Sequence, residues 1–205
     1  MLQDKINLLL KSSIVKSIFY SLKYKGLILA SRTVKIKSKG KARIIIPKNK
    51  VIKIGLEYDS TIEKVNIVLE EHSTINFLGS ASIKKGVQIS LGKNALLCIG
   101  DKTYINENTK IFVYDKCTIG DKCAISWNVT ITDSNVHTLN NNAPSEEVFV
   151  GDNVWIGFGS SILKGSRIES GSVIAAGAVV NNKFGSKNLL AGNPAKVIKE
   201  NVEWE

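Results

Sequence analysis

The 205-residue sequence predicts an all-β solenoid: stacked coils of six-residue units, with a helical segment ahead and a short helix behind. Three observations predict it. Val150, Ile156, Ile162, Ile168, Ile174 and Val180 recur at every sixth position, all aliphatic and all β-branched. Four places further along each unit stand Val154, Ser160, Ser166, Ser172 and Ala178, mostly small. The same period, in shifted phases, runs earlier through Ile83, Ile89 and Ala95, then Ile99, Ile105 and Ile111, then Ile119, Ile125 and Ile131. Such a period fits neither the face of an α-helix nor the alternation of a flat strand. It fits a coil in which each unit supplies one strand and one corner. The aliphatics point inward and stack on their counterparts in the next coil; the small residues take the corners, where bulk would collide. Three units make a triangular coil, and roughly seven coils at ~4.8 Å spacing would stand about 33 Å tall.

The elements follow in order. Over residues 2–25, Leu2, Ile6, Leu9, Leu10, Ile14, Ile18 and Leu22 form one apolar stripe at helical spacing, and Gly26 stops it. The stripe is expected to cover the open end of the solenoid or meet a partner subunit, the alternative being a membrane surface. Val34 to Ile46 alternates apolar and basic residues, which predicts short strands ended by Pro47. A coarser six-period starts near Val51. Residues 133–147 interrupt it with no aliphatic rhythm and read as a loop extruded from the stack. After Val180 the rhythm stops. Phe184-Gly185-Ser186 predicts a turn, the segment from Leu189 to Lys199 should lie across the final coil, and a short helix should run to Trp204. The predicted organisation is therefore a basic N-terminal segment (1–50), a β-helix (51–185) and a C-terminal cap (186–205).

Composition narrows the classes. Hydrophobic residues make up 43% and mean hydropathy is +0.03, which suits a soluble domain. No run of 18 apolar residues exists and the N-terminus lacks a signal-peptide pattern, so a cytoplasmic protein is expected. Cys98, Cys117 and Cys123 have no metal-ligand spacing, and an odd count suggests reduced thiols; Cys117 and Cys123 read as inward-facing. The net charge of +10 is uneven: residues 1–50 carry +12 and the remainder −2. A basic quarter implies an anionic neighbour, such as a lipid headgroup surface at the inner membrane face or an acidic glycan. Nucleic acid is not expected, because the basic segment lacks interleaved aromatics and no known module is present.

The chemistry-bearing residues are few. Of two histidines, His72 follows Glu70-Glu71 and should be surface-exposed. His137 sits in the extruded loop with Asp133 and Asn135 at odd spacing. In an extended segment these three share one face, so a carboxylate and an amide would orient the ring. Imidazole is the side chain suited to take a proton near neutral pH. Trp155, one residue before an inward isoleucine, must point outward, and Trp127, in Ile125-Ser126-Trp127-Asn128, poses the same problem. Each therefore needs a partner subunit or a ligand to stack on.

These hexads, the loop histidine, Val154-Trp155-Ile156-Gly157, Val173-Ile-Ala-Ala-Gly177-Ala-Val-Val180 and Ala191-Gly192-Asn193-Pro194-Ala195-Lys196-Val197-Ile198 together resemble the left-handed β-helix hexapeptide-repeat acyltransferases, sugar O-acetyltransferase branch. The likeness is tight over residues 98–199 and loose before. It implies a left-handed parallel β-helix, a homotrimer, and active sites in the grooves between subunits where acetyl-CoA lies. His137 then matches the base that deprotonates a sugar hydroxyl for direct attack on the thioester, with no acyl-enzyme and no metal. Trp155 matches an active-site tryptophan in contact with acceptor and donor. Asn106 matches a substrate-contacting asparagine, joined on the acceptor side by Trp127, Asp133 and Asn135. Phe158, Gly159, Ala176 and Gly177 match positions beside the pantetheine arm. Lys196 and Lys199 match basic residues near the nucleotide. Two departures stand out. Asn135 replaces the second carboxylate of an Asp-x-Asp-x-His pattern. Asn181-Asn182 replaces the usual Thr-Lys, which leaves Lys183 to take over the phosphate contact.

The implied acceptor is a saccharide or lipid-linked glycan of a surface polymer such as capsule or O-antigen. The alternatives are N-acetylation of a nucleotide-linked amino sugar, acetylation of an antibiotic, and a non-catalytic glycan-binding or scaffold β-helix. The related β-helix carbonic anhydrases need three histidine ligands, and this chain has two.

Overall fold

A computed structural model describes residues 12–56, 63–138 and 140–205. The chain winds around a prism with three faces of parallel strands. Face 1 begins with Leu27–Ala30 and ends with Leu189–Gly192, to which Ala195–Lys199 adds antiparallel; faces 2 and 3 have seven strands each. The strands visit the faces in rotation, so the described residues form seven full coils and one further strand.

Register follows the inward aliphatics. Ile105 pairs Ile125, which pairs Ile156, which pairs Ile174, and all four are buried. Neighbouring faces repeat this with Ile111, Ile131, Ile162 and Val180, and with Ile99, Ile119, Val150 and Ile168. Each such side chain contributes about 1.5–3 kcal/mol by leaving water. The small positions are also buried and mostly polar, and their hydroxyls bond the corner carbonyls. Ser160 Oγ donates to Gly157 O at 2.7 Å and Ser166 Oγ to Val180 O at 2.9 Å. Gly157 is required by proximity: a Cβ there would lie 2.6 Å from the Ile174 carbonyl oxygen of the next coil.

The stack starts earlier than the sequence suggests. Leu27–Ala30, Lys35–Ser38 and Arg43–Ile45 already form the first coil, pairing in parallel with Val51–Ile54, Asn66–Leu69 and Thr74–Phe77. Early coils are longer. Ile28 pairs Ile52, 24 positions on, whereas Ile156 pairs Ile174, 18 positions on. Variable corners blur the hexad rhythm there.

The helix α1 (Ile14–Tyr24) closes the first coil, but not with its apolar stripe. An open coil end exposes unpaired backbone groups, so what it lacks is hydrogen-bond partners. The helix supplies them from its polar side. Ser17 Oγ accepts from Ala30 N at 3.0 Å, Ser21 Oγ accepts from Ile28 N at 3.0 Å, and Tyr20 Oη accepts from Ile36 N at 3.1 Å. Ile14, Ile18 and Leu22 consequently face outward. The predicted residues 2–11 of this helix lie outside the described residues.

The predicted C-terminal helix is absent. Gly192, at φ +102°, turns the chain back, and Ala195–Lys199 pairs with Leu189–Gly192. The last exposed edge of face 1 is satisfied by a strand in place of a helix, and the tail to Trp204 lies on face 1.

Candidate active site

The extruded loop leaves the coil between Thr130–Thr132 on face 2 and Val148–Val150 on face 3, so it springs from the edge shared by those faces. Its neck is zipped. Asn135 N donates to Pro144 O at 2.9 Å, Glu146 N donates to Asp133 O at 2.9 Å, and Ser134 bridges Ser145. Ser134 Oγ donates to Pro144 O and accepts from Val136 N at 2.9 Å. Lys164 Nζ, one coil further, holds Ala143 O at 2.6 Å.

Asp133 turns inward. It is wholly buried, and its carboxylate accepts from Tyr114 N at 2.8 Å and Asp115 N at 2.7 Å. Burial pushes its carboxyl above the ordinary range, with these amides pulling the other way. Its role is to tie the loop's root to the corner of the preceding coil. The shared face of 133, 135 and 137 is also not formed, because Val136 adopts φ +64° and turns the chain. That left-handed conformation is unfavourable for a β-branched residue. It leaves Asn135 and His137 exposed on the loop, away from the buried carboxylate.

The aromatic residues belong to a different edge. Trp155 projects from face 1 and is 43% exposed; its Nε1 donates to Ser126 Oγ at 3.2 Å. The corners joining faces 1 and 2 stack as a ridge: Glu107-Asn108, Trp127-Asn128, Phe158-Gly159 and Ala176-Gly177. Asn128 N donates to Glu107 O, Gly159 N to Trp127 O and Gly177 N to Phe158 O. Trp127 and Phe158 are exposed, and Asn106 leads into this ridge. Gly159 and Gly177 both have positive φ, and a Cβ on either would meet nothing within 4 Å. The ridge is therefore open at these two positions.

Lys199 lines a cleft of about 440 Å³ with Trp155 and Trp204, while Lys196 is exposed on the same hairpin. Trp204 was not foreseen as a site residue. Its ring lies 6.0 Å from that of Trp155 at a 45° tilt, and its Nε1 donates to Asn153 O at 2.9 Å. No periodicity reaches this tail, so nothing in the sequence signals the pairing. Asn181 and Lys183 fall on the loop's edge instead, with Lys183 Nζ 4.0 Å from Glu146. His72 sits exposed at a corner, as expected. Cys117 and Cys123 are buried in the core, also as expected.

The predicted site residues thus divide into two groups. His137, Asn135, Asn181 and Lys183 share the edge between faces 2 and 3. Trp155, Trp127, Phe158, Gly159, Ala176, Gly177, Asn106, Lys196 and Lys199 lie on face 1 and its edge with face 2.

Comparison with known proteins agrees with this architecture. Residues 147–182 match the family model "Bacterial transferase hexapeptide (six repeats)". An uncharacterized 24.8 kDa protein in the cps region of Klebsiella pneumoniae is 36% identical over 195 residues, covering 93% of this chain and 86% of that protein. The crystal structure of the polySia-specific acetyltransferase NeuO superposes with a TM-score of 0.57 at 25% identity, over 84% of this chain and 89% of that one. The polysialic acid O-acetyltransferase OatWY superposes at 0.56 with 24% identity, over 84% and 90%. The chain, a left-handed parallel β-helix of hexapeptide repeats, belongs to the hexapeptide-repeat acyltransferase family.

Proposed function

We propose that the protein is an acetyl-CoA-dependent O-acetyltransferase that modifies a sugar hydroxyl of a surface glycan, working as a homotrimer with His137 as general base. The observation that carries this reading is the division of the site. The loop bearing the base and the ridge and tryptophan face suited to donor and acceptor spring from different edges of one prism. Three prisms packed side by side bring the loop edge of one copy against the face of the next. Likeness to the polySia-specific acetyltransferase NeuO, and to a protein from a cps region, supports a sugar-polymer acceptor.

Acetyl-CoA supplies the acetyl group as an activated thioester. His137 accepts the proton of the acceptor hydroxyl as its oxygen bonds to the carbonyl carbon. It returns that proton to the departing sulfur when the carbon–sulfur bond breaks. Trp155 and Trp127 offer flat apolar surfaces for a sugar ring, with Asn106 and Asn135 as polar contacts. Lys196 and Lys199 supply positive charge for the nucleotide phosphates, and Lys183, from the loop's edge, adds to them across the groove. Backbone N–H groups of the groove stabilise the developing oxyanion.

Release of free thiol from acetyl-CoA over a panel of saccharides is the direct test. His137→Ala should lower the rate by ~10²–10⁴-fold while the thermal transition stays in place. Full turnover by His137→Ala would remove the histidine from the mechanism. A 4-amino sugar nucleotide, run beside its hydroxyl counterpart, separates O- from N-acetylation.

A further inference from the structure

We propose that α1 is an interfacial anchor that seats the first-coil end of the prism on an anionic lipid surface. The capping duty of this helix is discharged by Ser17, Tyr20 and Ser21, which bond the backbone of the first coil. Capping therefore places no demand on the opposite side. Yet that side carries Ile14, Val15, Ile18, Phe19 and Leu22, each between 56% and 78% exposed. A contiguous apolar face of this kind on a surface helix marks a contact.

Charge identifies the occupant. Residues 1–50 contain a single acidic side chain, Asp4, against 13 Lys and Arg. On the first coil, beside the helix, Lys35, Lys37, Lys41 and Arg43 are exposed. Lys16 and Lys23 fall between the apolar and capping sides of the helix, spaced at about 100° per residue. Their ammonium groups turn toward the first coil, Lys16 Nζ donating to Arg32 O and Val34 O and Lys23 Nζ to Ser38 Oγ, so the exposed Lys35, Lys37, Lys41 and Arg43 carry the charge beside the apolar face. An apolar strip with a cationic border matches the boundary between acyl chains and anionic headgroups. A second copy of the same face would bring like charges together. Five side chains on one short helix also present only a few hundred Å², short of the ~800 Å² per partner that a stable protein interface takes.

The experiment is co-sedimentation of the full chain with phosphatidylglycerol-containing vesicles and with phosphatidylcholine vesicles, at 0.1 M and 0.5 M salt. Anionic vesicles should retain the protein at least tenfold better than neutral ones, and high salt should weaken this. Ile18→Asp/Phe19→Asp should abolish retention without moving the thermal transition, since both positions face outward. Thiol release with a soluble saccharide should persist in that variant, which keeps this test separate from the catalytic reading. Failure of the wild-type chain to bind anionic vesicles overturns the proposal. Equal retention of wild type and variant overturns it as well. So does a larger assembly of the wild type that the double variant dissolves in the absence of lipid, which would assign the face to a second copy.

Discussion

Val136 holds a conformation that β-branched residues avoid, at φ +64°, one position before the proposed base. It is itself exposed, so no burial compensates. Asparagine tolerates this backbone region far better. Val136→Asn should raise stability by ~1 kcal/mol and leave thiol release intact, read from urea midpoints beside initial rates. Cys123 offers a second residue-scale test. Burial pushes its thiol up to about 11, and Cys117, deeper in the same core, is pushed up further. Neither thiol ionises at pH 8, so only Cys98 should react with an aromatic disulfide until the protein is unfolded. The folded state holds the Cys123 proton more tightly than the unfolded chain. Its stabilising contribution is therefore complete below the ordinary thiol range and is lost as pH rises through about 11. Stability should fall between pH 8.5 and 11, with Cys123 contributing on the order of 1–2 kcal/mol and Cys117 adding to the loss, and Cys123→Ala should reduce that slope without abolishing it.

At the scale of the coil, two glycines of one corner make opposite demands. At Gly157 a methyl group would strike the backbone of the next coil, so Gly157→Ala should cost about 1–3 kcal/mol. At Gly159 there is open space and a positive φ, which asparagine accepts. Gly159→Asn should leave the melting temperature nearly unchanged and raise KM for acetyl-CoA, because the new side chain stands on the ridge. An unchanged KM would move the donor elsewhere. This contrast also shows what could be read in advance. Inward aliphatic columns were legible because a strict period fixes which side chains face the core. The direction of α1 was not, because hydrophobic spacing reveals the apolar side of a helix but not which side its neighbour requires. Asp133 was misplaced for a similar reason. A carboxylate beside a loop histidine suggests chemistry, while the amides of Tyr114 and Asp115, 19 and 18 positions earlier, become its partners only once the coils stack. The approach of Trp204 to Trp155 arises in the same way, by folding of an aperiodic tail.

For the whole molecule, a site shared between copies has an arithmetic signature. His137→Ala and Trp155→Ala, each expected to be nearly inactive, should complement when unfolded together in equal amounts and refolded. In the proposed trimer a groove would take its loop from one copy and its face from the next, so about a quarter of grooves in a random mixture would be intact. Recovered activity near that fraction is the expected result. No recovery, with mixed trimers demonstrated by mass, would place both residues of one site in a single chain. The two ends of the prism are closed by different devices, serine and tyrosine hydroxyls at the first coil and an antiparallel strand at the last. Each removes a free sheet edge that would otherwise invite open-ended association.

The zipped neck of the loop carries a consequence for how such proteins diversify. Asn135–Pro144 and Ser134–Ser145 pin the two strands of the neck together before the tip begins. The neck therefore separates the register of the coils from changes beyond it, where Lys164 Nζ on Ala143 O is a tie back to the next coil. Lengthening or exchanging that tip adds little closure entropy and displaces no inward aliphatic. A tip exchanged with His137 kept in place is expected to alter which polymer is accepted while the scaffold melts as before, which would make acceptor choice an interchangeable attachment on an invariant frame.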